Sequence, residues 1–407
     1  MRLVTYNHSH PLARHVSSIR LWEFARALAR RGHRVVHVTS TLDGARESPP
    51  PEHLERAMKA HDWKDPFHVA VKARNYRLLD SIRANAVAPP IRKTLTAYAM
   101  LVRGGMFYDW TDAIAPYQRE IARLHQPDVA WGTFGNSSNL LAARRMASIA
   151  SCSLVIDVKD SVEAFLPPGT RRITARRNHV ANGSTTNSEL LVRKSAFLTG
   201  HAPHLVYSGV DDAFIETPGE AAPANGPFLI SLSGSVRSRT RLAEFLEACR
   251  AFRERHRGIR DVQLAYAGNE THEIQRLQPR IDLEGWVTCL GYLDRPRLAA
   301  KFHESHINAY ISAEGAGYHQ KFLELVSAGR PVIAYGGELA ESLNQARDLP
   351  CRVSDPKNPA ELDAELEAIM HMAPGAKANG AFAKLGWEAR AVGAEQALLD
   401  AIARTAA

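Results

Sequence analysis

Arg237, Arg239 and Arg241 stand at alternate positions directly after Ser233-Gly234-Ser235 in this chain of 407 residues. Gly234 and Ser235 let a backbone approach a ligand closely. Guanidinium groups at the start of a helix bind diphosphate oxygens through paired N–H donors, with the helix N-terminus adding its own positive end. Further along, Glu324 lies in Tyr318-His319-Gln320-Lys321-Phe322-Leu323-Glu324-Leu325-Val326-Ser327-Ala328-Gly329-Arg330-Pro331-Val332. The pattern predicts a short helix over 321–328, with Phe322, Leu325 and Val326 on its buried face, stopped by Gly329 and followed by an apolar strand. A carboxylate at that place can accept two hydrogen bonds from a vicinal diol such as a ribose. A lone helix glutamate would otherwise be read as a solvated surface group.

Chemistry-bearing residues of the first half fall on strand-to-helix loops. Asp157-Val158-Lys159-Asp160 ends a strand, and the loops 132–139, with Asn136, and 7–18, with His15 and Ser17, are expected at the same end of the sheet. The histidines His8, His10 and His15 invite a metal, but no two share a helix face at i, i+4 and neither cysteine nor carboxylate joins them, so no metal is expected.

Apolar strand-like runs alternate with helical stretches along the whole length, which implies parallel α/β units. Strands are expected over 2–6, 34–39, 128–132, 154–158, 183–186 and 204–207, and again over 228–232, 262–267, 287–290, 308–311, 332–335 and 352–353, with a helix over 19–31. These make two doubly wound sheets, separated by a Pro/Gly/Ala-rich linker near 216–226 with a hinge at Gly209. The expected domains are 1–208 and 209–385, with 386–407 a C-terminal helix returning to the first. Ligands bind at the carboxyl ends of strands in open parallel sheets, so two such domains facing across a cleft would hold substrate between them.

Charge divides unevenly. Residues 1–200 hold 29 Lys+Arg against 16 Asp+Glu, net +13, and residues 201–407 hold 22 against 27, net −5. The first half therefore meets something anionic, such as a membrane surface or a phosphorylated acceptor, or else carries a solvated basic surface. Residues 88–110 mix Arg92, Lys93 and Arg103 with apolar side chains, the pattern of a helix lying on an anionic membrane or of a core-facing helix with one wet side. No aromatic-interleaved basic stretch points to nucleic acid. Four scattered cysteines without a Cys-x-x-Cys pair suggest reduced thiols. With no long apolar run and no leader-like start, the expected location is cytoplasmic, with peripheral contact on the inner face of a membrane.

The run 312–334 resembles the donor-binding motif of the family 4 retaining glycosyltransferases, which share the two-domain GT-B fold. Arg31-Gly32-His33 before the second strand, Ser208-Gly209-Val210-Asp211-Asp212-Ala213-Phe214 at the domain junction and Trp387 near the end resemble further family features in the family's order. The resemblance implies a hexosyltransferase using a nucleotide sugar, a UDP-sugar in the first instance, and no other cofactor. It implies that Glu324 holds the donor ribose. Arg237, Arg239 and Lys321 would meet the diphosphate in place of a loop lysine that this chain lacks. Asn269 and Tyr292 would lie on the loops that frame the nucleotide. Ser312-Ala313-Glu314-Gly315-Ala316-Gly317 resembles the start of the acidic motif, with Glu314 ten positions before Glu324 rather than eight. A second branch of the family lacks the first glutamate and carries a lysine where Lys321 stands; both readings remain open, with Gly315, Ala316 and Gly317 offering backbone amides to the sugar. Lys159 would neutralise a phosphate and Asp160 orient an acceptor hydroxyl. The alternatives are an inverting transferase, with His15 or Asp160 as base, and a catalytically silent nucleotide- or partner-binding relative.

Overall fold

The computed structural model describes the chain outside residues 14–15, 43, 45–46, 163–165, 167, 217–225, 237, 313–317, 319, 373–379 and 407. The expected linker therefore lies almost wholly outside the described residues, as do His15, Arg237, Glu314, Gly315, Ala316 and Gly317. The chain divides into two compact units, Met1–Ser208 with Arg390–Ala407, and Gly209–Ala389.

The first unit is built on seven parallel strands: β1 (Arg2–Tyr6), β2 (Arg34–Ser40), β3 (Phe67–Val71), β4 (Val129–Phe134), β5 (Ser153–Val158), β6 (Gly183–Thr186) and β7 (His204–Leu205). Their order is β3-β2-β1-β4-β5-β6-β7, so the winding reverses between β1 and β4. Register is set by strands buried on both faces; Val4 pairs with Val36 on one side and Ala130 on the other, all fully buried. Such runs read as continuous apolar segments, which is why the sequence shows them. Strand β3 was not expected. It carries His68 as its second residue, and that half-buried ring packs 5.9 Å from His37 and 5.6 Å from Trp22, so a polar letter breaks an otherwise buried strand.

The second unit repeats the plan with six parallel strands: β8 (Phe228–Ser233), β9 (Val262–Ala267), β10 (Val287–Gly291), β11 (Ile307–Ile311), β12 (Val332–Tyr335) and β13 (Val353–Ser354), in the order β10-β9-β8-β11-β12-β13. The winding reverses between β8 and β11. Its core joins Phe228, Ile230 and Leu232 to Phe245, Leu246 and Phe252 of the helix Arg239–Arg255.

The last helix, Trp387–Ala406, begins in the second unit and ends in the first. Within the second unit, a Cβ on Gly209 would collide with the backbone of Trp387 at 2.6 Å, so the junction demands glycine there. Within the first, Glu395 accepts from the His33 ring at 2.6 Å and from Arg31, and Ser153 meets Thr405 at 2.6 Å. The helix Pro89–Leu101 packs only lightly on the core: Ala99 is buried and Met100 lies partly buried against the core, while Ile91 and Tyr98 are exposed.

Candidate functional site

The carboxyl ends of β8, β9, β10 and β11 carry the loops on which the second unit gathers its polar groups. Ser233 ends β8 and Gly234 follows with φ +101°, a left-handed conformation that costs a non-glycine residue roughly 1–2 kcal/mol. The glycine is also required by space. An added Cβ would meet the ammonium of Lys321 well inside contact distance, with Lys321 Cε at 3.0 Å and Cδ at 3.1 Å. Lys321 is the second residue of the helix Gln320–Ser327 that follows β11. A lysine almost ninety positions later in the chain is thus laid across the backbone of the loop after β8.

Tyr266, at the end of β9, fixes the same loop. Its hydroxyl donates to the Gly234 carbonyl at 2.9 Å, with Glu270 Oε2 at 3.2 Å. Burial, then the Glu270 charge, pushes the phenol up, so it stays a donor. A Cβ on Gly268 would meet the Gly234 carbonyl at 2.8 Å and the Tyr266 hydroxyl, and Gly268 N donates to Gly291 O at 3.0 Å. Glycines after parallel strands thus let three loops touch. Asn269 and Tyr292 follow in these loops; Asn269 and Ser235 are exposed, and Tyr292 is 53% exposed.

Lys321 and Glu324 shape each other's charge. Burial lowers Lys321 to about 8, opposed by the carboxylates of Glu324 and Glu270. Burial raises Glu324, with Lys321 and Arg295 pulling it down and Asp211 pushing it up. Arg295 and Asp211 form an ion pair with each other. No hydrogen bond joins the Glu324 carboxylate to a described residue, so its oxygens are available to an incoming donor. Glu324 is half-buried and not a solvated surface group.

The two described arginines of the loop are already engaged. Arg239 opens the helix Arg239–Arg255 and pairs with Glu273 at 2.7 Å, yet its side chain is 71% exposed. Arg241 donates to the Ser312 carbonyl at 3.0 Å and packs where a Cβ on Gly336 would have to be. Ser238 caps the helix by accepting from Arg241 N at 3.4 Å.

The first unit brings together a second group. Lys159 Nζ donates to the Ser17 carbonyl at 3.1 Å, and Ser17 Oγ meets Ser9 Oγ at 3.0 Å. Burial lowers Lys159, with Asp160 and Asp157 opposing. A Cβ on Gly135 would lie 3.6 Å from Lys159 Cε and 3.8 Å from Asp160 Oδ2. Asn136 serves as a helix cap, accepting from Asn139 N at 3.1 Å. Beneath these loops sits an ion pair that sequence reading missed. Arg20 and Asp157, both fully enclosed, are joined bidentately at 2.8 and 3.0 Å, and Thr133 and Thr185 donate to the same carboxylate at 3.0 and 2.8 Å. Burial would raise Asp157, but Arg20 and the threonines hold it below the usual range. Nothing in the sequence pairs residues 137 positions apart. Among the described residues no group of three or more His, Cys, Asp or Glu is placed to hold a metal ion, and no helix is long and apolar enough to cross a membrane.

Fold and loop geometry define a two-domain chain of the GT-B class. Residues 227–371 match the family model described as Glycosyl transferases group 1. No curated protein sequence matches the chain. Among solved structures it is similar to sucrose-phosphate synthase from Thermosynechococcus elongatus, at 15% identity over 97% of this chain and 97% of that one with a TM-score of 0.62. It is similar to HepE of Anabaena, solved with UDP and glucose, at 13% identity over 100% and 98% with a TM-score of 0.57. A glycosyltransferase from Rickettsia africae matches at 13% identity over 98% and 95%, with a TM-score of 0.57.

Proposed function

We propose that this chain is a glycosyltransferase that moves a hexose from a nucleoside-diphosphate sugar, of the UDP class, to a hydroxyl on a glycan, lipid-linked or small-molecule acceptor. The observation that carries the reading is the Lys321 ammonium lying across Gly234, beside a Glu324 carboxylate with open acceptor sites, in the part of the chain that matches the group 1 model. HepE, solved with UDP and glucose, supports the choice of donor.

On this reading Glu324 accepts from the ribose hydroxyls, while Lys321 and Arg237 face the diphosphate and Arg239 adds a more distant charge. The bond between the anomeric carbon and the β-phosphate oxygen breaks, and the cations stabilise the negative charge that develops on the leaving group. The acceptor oxygen attacks from the same face, and its proton passes to the departing diphosphate. Configuration is retained and no strong protein base is needed. Neutralisation by ammonium and guanidinium makes the reaction metal-independent. Ser17, Asn136, Lys159 and Asp160, with His15, form the acceptor side. The protein acts in the cytoplasm, with peripheral contact to an anionic membrane supported by the basic first half.

The test is a donor screen by released nucleoside diphosphate, with and without EDTA, and the anomer of the product read by NMR. Release from a UDP-sugar that survives EDTA, with a retained anomer, is expected. An inverted product defeats the same-face mechanism, and UDP binding without turnover favours the silent reading, which the prior engagement of Arg239 and Arg241 supports.

A further inference from the structure

The segment 72–103 holds seven Lys or Arg and a single acid, Asp80. It forms the helices Arg77–Arg83 and Pro89–Leu101. On the second, Ile91, Leu95, Tyr98 and the C-cap Val102 recur at i, i+4, i+7 and i+11, which is one stripe of an α-helix. The stripe is not covered: Ile91 is 54% exposed, Tyr98 48% and Val102 65%. The helix is held from another side, through buried Ala99 and through Arg177, which donates to the Leu101 carbonyl. Leu78, 53% exposed on the neighbouring helix, extends the apolar surface, since Leu78 and Tyr98 line one open cavity of about 420 Å³ with Arg77, Arg103 and Tyr108.

Exposed charge lies beside the stripe and is largely uncommitted: Arg77 lines the same cavity as Tyr98, and Lys72 and Arg74 precede it closely in the chain. Arg83 is paired with Asp109 and Arg103 with Asp112. Lys72, Arg74 and Arg77 are exposed and make no ion pair with a described residue. An exposed apolar stripe rimmed by unpaired cations is the composition of a helix that lies in the plane of an anionic bilayer, with its apolar side chains among the acyl chains and its basic ones at the headgroups. A protein partner of matching shape would need its own acids opposite three exposed cations, whereas an anionic lipid surface supplies negative charge at any register.

We infer that Leu78, Ile91, Tyr98 and Val102, with Lys72, Arg74 and Arg77, form the face through which this protein docks on anionic phospholipid. This deepens the peripheral contact proposed above and does not depend on sugar transfer. The face also has a functional address. Phe107, next to the cavity residue Tyr108, packs its ring 4.0 Å from His8 in the loop after β1, so docking brings that loop to the lipid surface.

The test is co-sedimentation of the full chain with vesicles of phosphatidylglycerol and phosphatidylethanolamine, against vesicles of phosphatidylcholine alone. Wild-type protein is expected on the anionic vesicles only, and to leave them as salt rises from about 0.1 to 1 M. The charge reversal R74E/R77E and the apolar change I91E/V102E are each expected to weaken binding roughly tenfold or more. Both variants should keep the wild-type unfolding midpoint and the wild-type stabilisation by UDP, which separates this surface from the donor site. Failure of wild type to sediment with anionic vesicles, equal binding to phosphatidylcholine, or insensitivity to either pair of substitutions overturns the inference. So does a concentration-dependent dimer in sedimentation velocity that I91E/V102E abolishes, which would assign the face to a second copy.

Discussion

The side-chain nitrogen of Lys321 occupies the space that any Cβ at position 234 would need. Gly234 lies in the loop after β8 and Lys321 in the first turn of the helix Gln320–Ser327 after β11, and each constrains the other. Glycine at 234 leaves room for the ammonium, and the ammonium adds its charge to that loop.

Gly234→Ala should therefore act on binding more than on fold. The lysine end is flexible and can move, but only away from the loop, while the φ of +101° adds strain of roughly 1–2 kcal/mol. UDP affinity is expected to fall at least about tenfold, a change of about 1.4 kcal/mol in binding, with the unfolding midpoint a few degrees lower. Unchanged UDP affinity in calorimetry would dissociate the lysine from the phosphate site.

Lys321 also predicts a pH dependence. Burial brings it to about 8, so its charge is full below that pH and lost above it. UDP affinity should fall as pH rises through about 8, and Lys321→Met should lower affinity and flatten this limb. Stability runs the other way. Because the folded value lies below the unfolded one, the unfolded chain holds more protons between about 8 and the ordinary lysine range, and the Lys321 contribution to stability rises with pH there. Denaturant midpoints across that window, in wild type and Lys321→Met, measure the difference.

Glu324→Gln separates binding from folding. A half-buried carboxylate held above its usual range, with no hydrogen bond to a described residue, contributes little to the apo fold. Unfolding should be unchanged or slightly later. A hydrogen bond to a charged group contributes about 1.5–3 kcal/mol, so donor affinity should drop by roughly one to two orders of magnitude. A drop in stability without a change in affinity would make Glu324 structural.

The buried Arg20–Asp157 pair predicts the opposite profile. Removing one partner by Asp157→Ala leaves an uncompensated buried guanidinium and should cost about 3–5 kcal/mol in denaturant unfolding. Since Asp157 is held below its ordinary range, its stabilisation is present above that range and is lost as pH falls through the folded value. In Asp157→Ala that contribution is already absent, so the gap in stability between wild type and variant should be largest near neutral pH and narrow as pH falls.

Most strands were legible because parallel strands buried on both faces are continuous apolar runs, as in Val332 to Tyr335. Strand β3 was not, since His68 interrupts Phe67 to Val71 and only the packing of His37 and Trp22 against its half-buried ring shows how the position is used. The helix bearing Glu324 was placed within one residue of its bounds, because Gly329 and Pro331 mark its end in local sequence. For the segment 88–110 the sequence offered two readings; the helix Pro89–Leu101 packs Ala99 and Met100 inward and leaves Ile91 and Tyr98 exposed on another side.

By itself the sequence determined the two α/β halves, the glycine-turn-helix signatures after β8 and β11, and the acid and base that stand three residues apart at 321 and 324. Those are local patterns, written in periodicity and in turn chemistry. The tertiary structure alone decided that Lys321 lies on Gly234, that Tyr266 and Glu270 support that loop, that Arg241 is committed to the Ser312 carbonyl, and that Arg20 meets Asp157. Each joins residues distant in sequence but neighbouring in a sheet whose strand order is not its chain order, and side-chain identity carries no record of a partner that only the crossover brings near.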